Sequence, residues 1–86
     1  MTIYIDDTFT HPTKGPWCHM WTDGPREELD AFAARLGLRR AWADVGGSMR
    51  LYHYDLRPEK RALALEYGAE YMPMAEWIRR YNERNK

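Results

Sequence analysis

Twice in this chain a proline opens and a glycine closes an apolar stretch of helical period: Pro25 to Gly37, and Pro58 to Gly68. Proline at a first helical position gives up an N–H that would have no partner anyway. A glycine just past the end takes the left-handed turn that satisfies the last carbonyls. Both ends of two helices are thereby marked, and the segments between them must be something else. In the first helix Leu29, Phe32, Ala33 and Leu36 recur at i, i+3, i+4 and i+7, and Leu38 is placed to close the cap. Glu27 and Glu28 suit the positive end of its dipole. The second runs from Arg57-Pro58 through Ala62, Leu63, Ala64 and Leu65 to Tyr67. Pro73 opens a third, with Met74, Trp77, Ile78 and Tyr81 as its apolar stripe, and the polar residues 82–86 are expected to fray.

The intervening segments supply the strands. Ile3 and Ile5 flank Tyr4 in a short β-branched run that Asp6-Asp7 ends. Arg39 to Ala43 reads as a second strand and Glu70 to Met72 as a very short third. The order strand, helix, strand, helix, strand, helix predicts one small α/β domain over residues 1–86, with a short, mostly parallel sheet and three helices. Residues 8–22, broken by Pro12, Gly15 and Pro16, are expected to form a long loop rich in aromatic and histidine residues, and such loops are often functional. Met49 to Asp55 has two readings. It is a strand returning through Gly46-Gly47 onto Arg39–Ala43, which would place His53 at the sheet edge opposite Asp6. Otherwise it is a connection into the second helix, which places His53 and Asp55 at the same edge as Asp6 and Asp7. We take the second.

With 86 residues there is room for one core, and four Trp, six Tyr and two Phe are an efficient way to fill it. A homodimer would bury further aromatic area. Thirteen acids balance thirteen bases, so a long-range attraction to nucleic acid is not indicated. Cys18 is alone, which excludes an intrachain disulfide and a multi-thiolate metal site. The start MTIYIDDTF has no basic segment followed by a long apolar run, and nothing approaches a membrane span. These features point to the cytoplasm.

Three groups of residues can carry chemistry. Asp6, Asp7, His19, His53 and Asp55 combine carboxylates with imidazoles, which suits acid–base work or a divalent cation. Ligands of open α/β sheets bind outside the strand ends, where Asp6-Asp7 would lie. The spacing fits no dedicated metal motif, so a metal-free polar site is preferred and a divalent metal is the less favoured occupant. Asp6, His19, His53 and Asp55 are the candidate catalytic residues. The structural alternative makes Asp55 and Asp23 helix caps and His53 the partner of a buried backbone group. Next, Arg57, Lys60 and Arg61 crowd the start of the second helix, where free N–H groups favour an anion, and Arg39-Arg40 can approach. No phosphate-binding glycine loop accompanies them. Last, Trp17, His19 and Trp21 can stack on a planar ligand or simply cover the sheet. Cys18 as a nucleophile would need a base and a lowered pKa, which adjacency to His19 does not provide.

The segments YIDD, CHMWTD, ELDAFAARLGLRRAW and HYDLRPEKRALALEYGA, in this order, resemble DUF4031, a family of small bacterial and phage proteins. The resemblance spans about residues 2–71 and rests on Tyr4, Asp6, Asp7, Cys18, His19, Met20, Asp23, Leu29, Arg40, Trp42, His53, Tyr54, Asp55, Lys60, Arg61, Gly68 and Ala69. The stretch DVGGSMRLY and the C-terminal helix depart from it. The family carries no assigned activity, so no catalytic role transfers. Combining both readings, Asp7, Arg40, Trp42, Tyr54, Lys60 and Arg61 are the candidate ligand-binding residues. The expected ligand is a small anion, a nucleotide or another phosphate-bearing molecule, with hydrolysis as a reaction open to such a site. The alternative is a non-enzymatic accessory or inhibitor protein that binds a partner protein through an aromatic patch of Trp17, Trp21, Trp77 and Tyr81. Whether the chain is an enzyme stays open at this point.

Overall fold

The computed structural model describes residues 2–13, 15–45 and 52–84. Its elements in chain order are β1 (Ile3–Ile5), β2 (Phe9–His11), β3 (Gly15–Thr22), α1 (Arg26–Arg35), a 3-10 turn (Arg40–Trp42), β4 (Tyr54–Leu56), α2 (Pro58–Glu66), β5 (Glu70–Tyr71) and α3 (Met74–Arg84). The chain is α/β with three helices, as its periodicity predicts. The sheet, however, is mixed rather than mostly parallel, and the element order is not a simple strand–helix alternation.

β3 is the centre of the sheet. It pairs antiparallel with β1 (Ile5 opposite Met20), with β2 (Phe9 opposite Trp17) and with β4 (His19 opposite Asp55). Among the described residues only β5 runs parallel to its neighbour, β1. The expected loop 8–22 is thus largely a hairpin arm. Its strand is hard to see because Gly15 and Pro16 interrupt it and because both faces carry apolar groups: Cys18 and Met20 on one, Trp17 and Trp21 on the other. Pro16 is tolerated at the start of the strand, where a missing N–H costs least.

Two further expectations are corrected. Arg39–Ala43 is no strand; its centre is a 3-10 turn with no buried residue, so it lacks the apolar face that a sheet position needs. Residues 54–56 are a strand rather than a connection, and they pair with β3 instead of with Arg39–Ala43. The chain does return on itself at one point, since Asp44 and His53 exchange both backbone hydrogen bonds at 2.8 and 2.9 Å. Gly46-Gly47 and Met49–Leu51 lie outside the described residues. The tail expected to fray is in part helical, because α3 continues to Arg84.

Alternation along the strands sorts the residues. Ile5, Cys18, Met20, Tyr54 and Leu56 face α1 and α2 and form the core with Leu29, Phe32, Ala33, Leu36 and Ala64. Tyr4 and Trp21 face the other way and meet Trp77 of α3, with ring centroids 5.3 and 5.6 Å from it. Both helix ends behave as the glycines predict. Gly37 and Gly68 have φ of +83° and +109°. Leu38 N–H reaches Ala33 O at 3.0 Å, and Ala69 N–H reaches Ala64 O at 2.9 Å, the bond pattern of a glycine-terminated helix.

Candidate functional site

The pairing of β1 and β2 against β3 is offset by one residue, so Asp6, Asp7 and Thr8 together oppose only Cys18 and His19. This is a β-bulge, a device that re-aims side chains and is frequent beside active sites. Arg61 of α2 braces it by donating from Nε to Asp6 O at 3.1 Å.

At the bulge the buried Asp6 carboxylate grips His19 twice. Oδ1 accepts the His19 backbone N–H at 2.6 Å, and Oδ2 lies 2.7 Å from ring Nδ1. A carboxylate can only accept, so Nδ1 carries a proton, and in the corresponding neutral tautomer the lone pair sits at Nε2. That Nε2 points toward β4, where Asp55 Oδ1 lies 4.0 Å away. His53 Nε2 lies 3.5 Å from the same oxygen. The two imidazoles meet edge-on with centroids 5.4 Å apart. His53 is 4% exposed, while the Asp55 side chain is 46% exposed, so the cluster is buried at one end and open at the other. Phe9 stacks on His19 with centroids 5.1 Å apart.

All four candidate catalytic residues therefore converge. They do so in the middle of the antiparallel pairs, because β3 lies between β1 and β4, and not at a shared sheet edge as the sequence suggested. The capping alternative for Asp55 does not describe the structure, since the N-cap of α2 is Arg57 and no side chain caps it. Asp23 instead accepts from Thr2 N–H at 2.9 Å.

The candidate ligand-binding residues divide. Trp42 and Lys60 line a cavity of about 460 Å³ with Trp17, Leu38, Asp55, Arg57 and Glu59. The Arg57 guanidinium sits over the Trp17 ring, 4.2 Å from its centroid. Lys60 also donates to Leu36 O at 2.6 Å and so caps the end of α1. Arg61 is occupied at the bulge. Asp7 accepts from the Tyr71 hydroxyl at 2.8 Å, which raises the tyrosine pKa. Arg40 and Tyr54 lie elsewhere, at Asp30.

Asp30 is the polar residue that sequence reasoning missed. Its Oδ1 accepts from the hydroxyls of Tyr52 and Tyr54 at 2.6 and 2.7 Å, and Arg40 Nε lies 3.4 Å from Oδ2. Burial works to raise the Asp30 pKa, but the Tyr52 and Tyr54 hydrogen bonds, helped by Arg40 and Arg26, outweigh it and hold the carboxyl below its ordinary value. The signal available was the Tyr-x-Tyr alternation at 52 and 54, which puts two hydroxyls on one face.

Cys18 is fully buried, and burial, reinforced by Asp6, pushes its thiol up to about 12. At neutral pH it is a protonated core residue rather than a nucleophile. Of the proposed aromatic patch, Trp21 is buried in the monomer and Trp17 and Trp77 are half-buried. Among the described residues no helix is long and apolar enough to cross a membrane.

What these observations define is a small mixed α/β domain with a His–His–Asp cluster beside a tryptophan-lined cavity. The chain belongs to the DUF4031 family, described as a protein of unknown function, whose model matches residues 3–84. No curated protein and no solved structure matches it.

Proposed function

We propose that this protein binds a small phosphate-bearing molecule, a nucleotide being the favoured class, in the cavity beside Asp55. One observation carries the reading. The cavity, at about 460 Å³, joins two tryptophans, Trp17 and Trp42, to the cations Arg57 and Lys60. That volume lies in the range of small-molecule pockets. An indole face suits a base, and guanidinium and ammonium groups suit a phosphate. Asp55 belongs both to the cavity wall and to the histidine cluster, so a ligand there lies against groups able to move a proton. Hydrolysis is the reaction class this neighbourhood supports.

The test is calorimetric titration at low salt with AMP, ADP, ATP and inorganic phosphate, with and without Mg2+. Binding of at least one nucleotide is expected, weakened tenfold or more in Trp42→Ala. Trp42 is 57% exposed, so its truncation should leave the fold intact. Absence of heat and of any thermal shift across the series would sink the reading.

A further inference from the structure

We infer that His19, His53 and Asp55 form a binding site for a divalent transition-metal ion of the zinc class, with Asp6 as the residue that positions it. The site is independent of what the adjoining cavity holds.

The donor set comes first. One ligand atom from each of the three residues can be chosen so that all lie within 4.8 Å of one another. Two of the separations are 3.5 Å (His53 Nε2 to Asp55 Oδ1) and 4.0 Å (His19 Nε2 to Asp55 Oδ1). Donors around a tetrahedral zinc with bonds of about 2.0–2.1 Å sit roughly 3.3 Å apart. The remaining pair, the two imidazoles, is at most 4.8 Å apart, so closing the three groups onto one ion needs each to move inward by about half an ångström. The half-exposed Asp55 side chain has the freedom to follow such a shift. Two imidazoles and one carboxylate suit zinc and its first-row neighbours rather than magnesium or calcium, which prefer oxygen alone.

The support behind the donors is the second, independent observation. Asp6 holds Nδ1–H of His19 at 2.7 Å. This carboxylate–histidine arrangement fixes the tautomer and turns a lone pair at Nε2 toward the other two donors, as the residues behind metal-binding histidines do. Asp6 is itself 5% exposed and is locked by the His19 backbone N–H, and Arg61 holds its own carbonyl. A buried acid held from two sides, with its free oxygen on a histidine, is an expensive arrangement for a surface loop. It is economical as the second layer of a metal site.

Three protein ligands leave one position of a tetrahedral ion open, which distinguishes sites that act on a ligand from those that only brace a fold. Asp55, the exposed donor, is also a wall of the tryptophan-lined cavity. The open position is therefore available to a molecule entering from that side.

The test uses tag-free protein stripped with a chelator, titrated with Zn2+ and Co2+ by calorimetry and by competition with a chromogenic chelator, with no nucleotide present. One equivalent is expected to bind. Asp55→Ala, which removes an exposed donor, should weaken binding at least 100-fold without changing the melting temperature of the stripped protein. Asp6→Asn should weaken it 10- to 100-fold while leaving the stoichiometry at one. His11→Ala, the control at the remaining histidine of the sequence, should have no effect. Cobalt should give the visible absorption of a low-coordinate nitrogen–oxygen site. Failure to bind either ion, or binding that survives Asp55→Ala and His53→Ala unchanged, would overturn the proposal. Nucleotide binding in a chelator is scored separately, so the cavity reading and the metal site stand or fall apart.

Discussion

Strand β4 and its flanks build two polar clusters on opposite faces of one sheet, and the clusters differ in closure. On the core face, Asp30 is saturated. Two tyrosine hydroxyls meet one oxygen at 2.6 and 2.7 Å and Arg40 approaches the other. On the opposite face, His19 and His53 approach the single Asp55 oxygen at 4.0 and 3.5 Å, beyond good hydrogen-bond length. Short, fully matched contacts make a cluster that holds elements together, here α1 against β4. The wider spacing among His19, His53 and the half-exposed Asp55 leaves room for an ion between them. Residues 52–55 alternate between these two jobs, with tyrosines facing one and His53 and Asp55 the other.

Substitutions should separate the clusters by what they cost. The largest effect is expected from Asp30→Ala, which strands two hydroxyls, one of them on the buried Tyr54. Loss of two hydrogen bonds to a charged group should destabilise the domain by about 3 kcal/mol in urea titration. A loss below about 1 kcal/mol would make the contrast untenable. Tyr54→Phe removes one of the two bonds and should cost about 1.5–2 kcal/mol by the same measurement.

Acid provides a smaller and more selective probe. The folded pKa of Asp30 lies below the unfolded value of about 3.9. Its contribution is therefore complete above that unfolded value and is lost as pH falls through the lower folded one. Melting temperatures measured from pH 5 down to pH 2 should fall less steeply in Asp30→Asn than in the unsubstituted protein. Equal slopes would show that other carboxylates govern acid unfolding.

The smallest stability effect belongs to the open cluster. Asp55→Ala should change unfolding free energy by less than about 0.5 kcal/mol, because the side chain is half exposed. If that substitution instead costs as much as Tyr54→Phe, the two faces do not differ in the way described.

The helices were legible because their ends are chemically marked: Pro58 stands at the first turn of α2, and Gly37 and Gly68 take positive φ. β3 was not legible because apolar groups occupy both of its faces, so the two-residue alternation that betrays a half-buried strand is absent. The four residues of the histidine cluster were chosen for their chemistry, and they do meet. The route proposed for them, a common edge of parallel strands, fails because a hairpin places β3 between Asp6 and Asp55. Asp30 was missed for a different reason. Its partners Tyr52 and Tyr54 lie more than twenty residues away, and nothing local to α1 announces them.

The bulge at Asp6–Thr8 has one more consequence. In an unbroken strand, two residues three positions apart point in opposite directions. Because the pairing slips by one residue here, Asp6 and Phe9 come to the same ring: Asp6 at the Nδ1 edge of His19, Phe9 flat against its face. A single imidazole is held in a vice, one jaw ionic and the other aromatic, with only its Nε2 corner left outside.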